Sequence, residues 1–215
     1  IEKNSITNIN EYTTLIDYKN KIEQIEDTSL WDKSKKFSND YELIYLPNKK
    51  IKCNSISKYD PLSRAYFKLF EILVDFDLIN QNKIIDVASL AEGPGGFIEA
   101  IINYRKRIHS KKDNIFGITL KSVSKDIPGW NKARMFLKKN QNVSIHYGED
   151  GTGNLYNLNN IIHFKNTLNK KMDFVTADGG FDFSYNFNRQ EQLSYRIIFC
   201  EIVTTLSIQK VGGSF

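Results

Sequence analysis

The chain has 215 residues, of which 40% are hydrophobic and 13% aromatic, so we expect one sizeable globular core. Its two cysteines, Cys53 and Cys200, lie far apart, which argues against a disulfide framework and a metal site and fits a reducing, intracellular compartment. No apolar run reaches the roughly 18 residues of a membrane span, so a soluble protein is predicted. The net charge of +5 is compatible with a polyanionic partner without identifying one.

Residues 1–57 differ in pattern from the rest of the chain. The stretch YTTLIDYKNKIEQIEDTSLW mixes charged side chains with apolar residues at helical spacing. No Gly/Ser-rich linker separates this region from residues 58–215. The sequence therefore predicts a mainly helical N-terminal accessory segment at 1–57 rather than an independent domain.

One domain is predicted over 58–215, and it begins with a helical pattern at 61–79. Apolar residues recur there at the spacing of one helical face: Leu62, Tyr66, Leu69, Leu73 and Phe76. A short apolar run, IIDVA (84–88), then ends in the glycine-rich turn AEGPGG. Helical periodicity resumes directly behind that turn, in FIEAIINYRKRI (97–108).

The alternation of strand-like and helical segments continues to the last residue. Strand-like runs occupy 115–120, 142–148, 173–180 and 211–215, and helical patterns occupy 155–168 and 191–210. Such alternation predicts an α/β fold with a doubly wound, mostly parallel, Rossmann-like sheet. Because the chain stops at Phe215, within the opening residues of a strand, we expect this domain to be C-terminally incomplete.

The turn AEGPGG (91–96) is the strongest local signal for a ligand site. In open parallel sheets, ligands bind at the carboxyl ends of the strands, where the strand order reverses. Glycines permit a tight turn and a close backbone approach to a ligand, and a helix starting near Phe97 would present free N–H groups. The spacing matches neither G-x-G-x-x-G nor a P-loop. The alternative is a plain strand-to-helix turn. The strand-like DVA shortly before AEGPGG favours the ligand site over this alternative.

Three motifs in order, SRAYFKLFEI, AEGPGGF and VTADGGFD, resemble the FtsJ-like family of RNA ribose 2′-O-methyltransferases across roughly residues 61–215. The resemblance implies an S-adenosylmethionine-dependent methyltransferase with a K-D-K-E catalytic tetrad. It assigns the first lysine to Lys68 and the aspartate to Asp178. The second lysine and the glutamate of the tetrad would lie beyond Phe215, so the chain as given would be incomplete as a catalyst.

The same resemblance implies a binding site for S-adenosyl-L-methionine. Asp150, after the third strand, would accept from the adenine amino group, and Thr119 and Leu120 would flank the adenosine. Asn154 stands where related cap enzymes often carry an aspartate. Asp86 either supports the turn or approaches the amino-acid moiety of the cofactor. The methionine-binding turn itself would comprise Ala91, Glu92, Gly93, Pro94, Gly95, Gly96 and Phe97.

Two further stretches, GITLK (117–121) and YGEDGTGNLYNLNNIIHF (147–164), resemble the mRNA cap methyltransferases of eukaryotes and large DNA viruses. They imply methylation of the cap-proximal nucleotide, with the capped mRNA 5′ end as partner and other capping or transcription proteins as further candidates. Two alternatives stay open. One is a methyltransferase of the same fold that acts on ribosomal or transfer RNA, and the other is a catalytically inert module that binds RNA or a partner.

Three residues are candidates for contact with RNA. Arg64 precedes Lys68 by one helical turn and would share its side of the helix. Trp130 either stacks on a base or cap guanine or packs in the core. Lys121 begins a basic stretch that either contacts phosphates or forms a solvated face, and this stretch continues with Lys125, Lys132, Arg134, Lys138 and Lys139.

Overall fold

The computed structural model describes residues 8–25, 27–38, 44, 56–79, 81–108, 112–121, 129–180 and 189–215. Its contacts divide the chain into one unit of residues 1–60 with 183–191 and a second of residues 61–182 with 192–215. The first unit contains helices α1 (Ile9–Glu23) and α2 (Thr28–Ser38). Side chains cap both helices: Asn8 accepts from the amide of Glu11 at 3.4 Å, and Asp27 accepts from that of Ser29 at 2.8 Å.

The second unit alternates helices and strands along the chain. Its elements are α3 (Ala65–Phe76), β1 (Asp86–Leu90), α4 (Gly96–Arg105), β2 (Asn114–Ile118), α5 (Arg134–Lys139), β3 (Val143–His146), α6 (Leu158–Leu168), β4 (Met172–Ala177), α7 (Gln190–Ile208) and β5 (Gln209–Ser214). None of the helices in the described ranges is long and apolar enough to cross a membrane.

The five strands form one parallel sheet in the order β3-β2-β1-β4-β5. The chain runs outward from β1 through β2 to β3, then returns through α6 to place β4 on the other side of β1. The strand order therefore reverses between β1 and β4, and their carboxyl ends flank the crevice in which sheets of this type bind ligands. The predicted doubly wound α/β fold is confirmed.

Each face of the sheet buries its own apolar core. Val87 and Phe174 point to one face, where the buried side chains of α3 and α4 cover them, and Ala88 and Val175 point to the other, where α6 covers them. This two-sided burial explains why the strands read as continuous apolar runs rather than as an alternation. On the α3 side, the hydroxyl of Thr176 donates to that of Ser89 at 2.9 Å and so satisfies two buried groups between β1 and β4.

Two details differ from the sequence predictions. Strand β1 begins at Asp86, two residues later than predicted, and extends through Leu90, so it carries the chain further toward the glycine turn. Phe76 was predicted on the buried face of α3, yet its side chain is 70% exposed. The reason is local: α3 ends there, at Asp77 in a left-handed conformation, and only Tyr66 and the next two leucines on that face are buried.

A buried ion pair anchors the segment that leads into β1. The guanidinium of Arg105, at the end of α4, donates to both carboxylate oxygens of Asp113, at 2.8 and 3.0 Å. The same guanidinium donates to the carbonyls of Ile79 and Gln81, each at 2.7 Å, and Asp113 also accepts from the amide of Ile85 at 2.9 Å. One side chain thus satisfies carbonyls of an irregular loop and fixes the approach to the first strand.

Candidate active site

Lys68 and Asp178 meet above the carboxyl edge of the sheet. Lys68 lies in the first turn of α3, and Asp178 is the first residue after β4. The ammonium of Lys68 donates to the two carboxylate oxygens of Asp178, at 2.8 and 3.2 Å. Their side chains are 61% and 41% exposed, so the pair is open to a large ligand. The structure therefore brings together the two residues for which the sequence predicts catalytic roles.

Glu201, which was not predicted from the sequence, contacts the residue that follows Asp178. It belongs to α7, is buried, and accepts a hydrogen bond from the amide of Gly179 at 2.9 Å. Burial, with a smaller contribution from the nearby Asp178 carboxylate, raises the pKa of its carboxyl to about 7 despite the lowering effect of the Gly179 hydrogen bond. The amphipathic pattern of α7 contains no signal for this role because a glutamate on a helix is usually solvated.

Glu92, in the glycine turn, caps α4 from within the core. One carboxylate oxygen accepts from the amides of Phe97 and Ile98, at 3.0 and 3.2 Å. The amides at the start of α4 are therefore satisfied by this buried carboxylate, whereas we expected them to be free for a ligand. Burial, with a smaller contribution from Asp178, raises the pKa of Glu92 to about 8 despite the two amide hydrogen bonds, which lower it.

Part of the pH dependence of the unfolding free energy should come from Glu92. Because its pKa is raised to about 8 in the folded state, the folded protein binds more protons than the unfolded chain between about pH 5 and 8. We expect the free energy of unfolding to fall across this window in the wild type more than in Glu92→Gln, by roughly 3–4 kcal/mol. Urea titrations at several pH values measure this pH dependence, with Glu71→Gln on the exposed face of α3 as control. Parallel curves of unfolding free energy against pH for the wild type and Glu92→Gln would refute the prediction.

Trp130 is buried beneath the glycine turn rather than exposed to RNA. Its side chain is 9% exposed, and its ring lies against Gly95 and Gly117, where an added Cβ would meet it at 3.3 and 3.0 Å. The prediction that Trp130 stacks on a base is therefore wrong, and its alternative, packing in the core, is correct. Phe97 is likewise buried with its amide engaged, so it supports the turn from below instead of facing a ligand.

Gly95 and Gly96 also permit close packing: Gly96 lets α4 approach the start of α3, and Gly95 lets the turn approach Trp130. Gly95 has a φ of +111°, which favours glycine. A Cβ on Gly96 would collide with the hydroxyl of Ser63 and lie 3.1 Å from the amide of Tyr66. The parts of the turn that face the open edge are the half-buried Ala91, Gly93 and Pro94.

The residues predicted to flank an adenosine close one side of this crevice. The buried Thr119 accepts from the amide of Gly93 at 3.1 Å through its hydroxyl, and Leu120 is exposed. The amide of Lys121 donates to the carbonyl of Thr152 at 2.6 Å, which holds the loop after β3 against the end of β2. Gly153 permits this approach, because a Cβ there would collide with the carbonyl of Thr119.

Asp150 and Asn154 use their side chains mainly within their own loop. Asp150 accepts from the amide and hydroxyl of Thr152, at 2.8 and 2.6 Å, and from Asn157 at 2.9 Å; these hydrogen bonds hold its pKa well below the usual range. The side chain of Asn154 accepts from the amide of Tyr156 at 2.9 Å. The buried Asn160, which was also not predicted from the sequence, accepts from the amide of Asp150 and donates to the carbonyl of Asn154, each at 3.1 Å.

Asp86 lies at the wrong end of its strand for contact with a ligand. It is the first residue of β1, whereas the glycine turn follows Leu90, the last residue of that strand. Its carboxylate accepts from Asn114 at 2.7 Å and pairs with Lys170. Neither role that the sequence left open, support of the turn or contact with the cofactor, is compatible with this position, and Asp86 instead tethers the amino edge of the sheet.

The remaining RNA candidates lie at the surface of the described part of the chain. Arg64, which precedes the first residue of α3, is exposed, and so is Lys121, whose ammonium lies 5.7 Å from the ring centre of Tyr147. Within the basic stretch, Lys132, Arg134, Lys138 and Lys139 are exposed, and Lys125 lies outside the described residues. Among the residues that the structure describes, no three His, Cys, Asp or Glu side chains are grouped to hold a metal.

The motifs that surround this crevice match a known family. The family model described as FtsJ-like methyltransferase matches residues 61–215. The chain belongs to the FtsJ-like methyltransferase family. The resemblance predicted from the motifs is confirmed, and the match begins three residues after the predicted domain boundary at residue 58.

Relatives of this FtsJ-like domain include cap methyltransferases of animals and protists. The human protein named cap-specific mRNA (nucleoside-2′-O-)-methyltransferase 1 is 34% identical over 142 residues, which is 62% of this chain and 16% of that protein. The protein of the same name from Trypanosoma cruzi is 32% identical over 165 residues, 71% of this chain and 43% of that protein. The chain thus spans about a sixth of the human relative and less than half of the trypanosome one.

Among solved structures, a Plasmodium falciparum protein described as a ribosomal RNA methyltransferase is similar to this FtsJ-like chain. It has a TM-score of 0.45 and 22% sequence identity, and the alignment covers 70% of this chain and 74% of that chain.

Proposed function

We propose that this FtsJ-like protein transfers the methyl group of S-adenosylmethionine to a ribose 2′-hydroxyl of RNA, at the cap-proximal end of mRNA. The observation that carries the proposal is the Lys68–Asp178 pair, joined at 2.8 Å beside the glycine turn at the point where the strand order reverses. A cation and an anion that flank an open crevice at a strand terminus are suited to orient a polar acceptor next to a bound cofactor.

The crevice has the chemistry that S-adenosylmethionine requires. The cofactor combines a cationic sulfonium, an amino acid and an adenosine. The Asp178 carboxylate offers a negative field to the cation, and the half-buried backbone of Ala91 and Gly93 offers peptide groups to the amino acid. The exposed Leu120 supplies an apolar wall for the adenine, next to the backbone of Thr119.

When bound, the cofactor supplies a methyl group whose bond to sulfur breaks as the ribose oxygen bonds to it, leaving a neutral thioether, while the hydroxyl proton passes to a base. The family resemblance assigns that base to a second lysine after Phe215. The ammonium of Lys68 has three N–H donors, so it can hold Asp178 and still donate to a ribose oxygen. Positioning of this kind supplies much of the acceleration in a displacement at carbon.

The substrate assignment draws on the relatives and on the surface around the pair. Two relatives that match more than half of this chain are named as cap-specific mRNA 2′-O-methyltransferases. The exposed Arg64 lies one helical turn before Lys68, and Lys121 lies at the end of β2 on the same edge of the sheet. Both can contact phosphates, which adds affinity without sequence readout.

Transfer of a labelled methyl group to capped and uncapped versions of one short RNA tests this proposal in the full-length protein. We expect label in the capped RNA alone, at a ribose 2′-oxygen. Equal labelling of both RNAs would contradict the cap assignment and favour ribosomal or transfer RNA as substrate. Cofactor binding without transfer to either RNA would contradict the enzymatic assignment and favour an inert binding module.

A further inference from the structure

Gly179, the residue after Asp178, lies in a crowded position at the junction of β1, β4 and α7. A Cβ built on Gly179 would collide with the carboxylate of Glu201 and lie 2.9 Å from Ile197 and 3.1 Å from the Cβ of Ala91. Gly180, the next residue, differs sharply, because none of the residues that the structure describes lies within 4 Å of a Cβ built there. The close approach is therefore specific to the residue directly after Asp178.

The group that occupies this space is a buried carboxyl that binds the backbone. Glu201 is 5% exposed, and its Oε1 accepts from the amide of Gly179 at 2.9 Å. Burying a carboxyl is costly, and the raised pKa of Glu201, about 7, reflects this cost. An apolar residue at position 201 would fill the same place in α7 without that cost. The hydrogen bond from the Gly179 amide therefore explains why a carboxyl is present here.

The geometry points to Glu201 as a positioning residue: by clamping the amide of Gly179, it holds the carboxylate of Asp178 toward Lys68. This inference rests on the proposed function, in which Asp178 orients the acceptor. Glu201 is distinct from the tetrad glutamate, which the family resemblance assigns to the region after Phe215.

A backbone clamp is needed here because side-chain packing does not fix the pair. Asp178 and Lys68 are 41% and 61% exposed, so solvent surrounds much of both side chains. The direction of the Asp178 carboxylate is then set by the backbone where β4 ends, at Ala177, and Glu201 holds that backbone two residues later, at Gly179. Displacement of a reacting group by about 1 Å is enough to lower a rate roughly 100-fold.

Four variants of the full-length protein separate positioning from simple support of the fold. We expect Glu201→Ala to lower the rate of methyl transfer at saturating RNA and cofactor by roughly 10- to 100-fold, with the cofactor Kd changed less than about threefold. Glu201→Gln keeps an acceptor oxygen of the same reach and should restore the rate to within about fivefold. Gly179→Ala should lower the rate of methyl transfer as much as Glu201→Ala does. Its control, Gly180→Ala, should retain the wild-type rate.

The double variant Gly179→Ala with Glu201→Ala tests whether both changes break the same contact. Because each single change already removes the clamp, we expect the double variant to be no slower than the slower single variant. A multiplicative loss would overturn the inference, and so would a Glu201→Gln variant as slow as Glu201→Ala. A Gly179→Ala variant as active as Gly180→Ala would overturn it as well.

Hydrogen exchange at the Gly179 amide tests the clamp independently of activity. Among the 12 glycines of the chain, the Gly179 amide should exchange slowly in the wild type and in Glu201→Gln, and at least about tenfold faster in Glu201→Ala. Fast exchange in the wild type would overturn the clamp itself. Slow exchange in Glu201→Ala would overturn the clamp as well. Fast exchange with full activity in Glu201→Ala would overturn the positioning role alone, whereas an Asp178→Ala variant with wild-type activity would overturn the proposed function on which the inference rests.

Discussion

Replacing Lys68 with Met, or Asp178 with Asn, should lower the rate of methyl transfer by roughly 100-fold or more. Each change removes one charge of the pair whose atoms lie 2.8 Å apart at the strand-order reversal. The cofactor Kd should change by less than about threefold in Lys68→Met, because Lys68 faces the acceptor side. Single-turnover transfer to capped RNA, measured beside calorimetric cofactor binding, gives both quantities.

The control for this prediction is a second lysine–aspartate pair, whose aspartate lies near the start of β4. Lys210 of β5 donates to Asp173 of β4 at 3.1 Å, at the amino end of the sheet, away from the crevice. Lys210→Met should leave the rate within about twofold of wild type.

The Lys68–Asp178 pair is largely exposed, so its loss should cost less than about 1 kcal/mol of stability. Full activity in either active-site variant would contradict the assigned roles.

Replacing Arg105 with Met should give the largest loss of stability, about 3–5 kcal/mol. The change leaves Asp113, which is 4% exposed, as a buried carboxylate without its cation. It also leaves the carbonyls of Ile79 and Gln81 without the donor that now lies 2.7 Å from each. For a chain of this size, we expect the melting temperature to fall by roughly 10 °C, measured by calorimetry or circular dichroism.

Arg107 provides the matched control for this stability prediction. It lies two residues further along the chain, is exposed, and places its guanidinium 4.9 Å from the ring centre of Phe70. Arg107→Met should cost less than about 1 kcal/mol, because the contact is partly solvated. Equal melting temperatures for the two variants would show that the buried ion pair does not anchor the loop before β1.

The order of the strands and of the longer helices was predictable because it depends on local sequence, whereas the short helix α5 was not predicted. Apolar runs that end in glycine or aspartate, such as those before Gly93 and Asp178, predict strand ends, and a doubly wound topology brings the carboxyl ends of neighbouring strands together. The meeting of Lys68 and Asp178, 110 residues apart, is a consequence of that topology combined with the helix before the first strand.

The supporting side chains could not be predicted, because their partners are set by packing rather than by spacing. Glu92 and Glu201 resemble ordinary surface glutamates in sequence, yet both are buried and bind backbone amides. For Trp130 the sequence left stacking and core packing open, and the absence of side chains at Gly95 and Gly117 creates the space that buries it. The position of Asp86, at the start of β1, depended on a strand boundary that periodicity alone does not fix.

The most direct test of the central claim replaces the acceptor oxygen in the RNA. The full-length protein is given capped RNAs in which one cap-proximal nucleotide at a time is 2′-deoxy, with labelled cofactor in excess. We predict that one such substitution abolishes labelling and that the others leave it within a few-fold. Labelling of every RNA in the series would contradict transfer to a cap-proximal ribose 2′-hydroxyl.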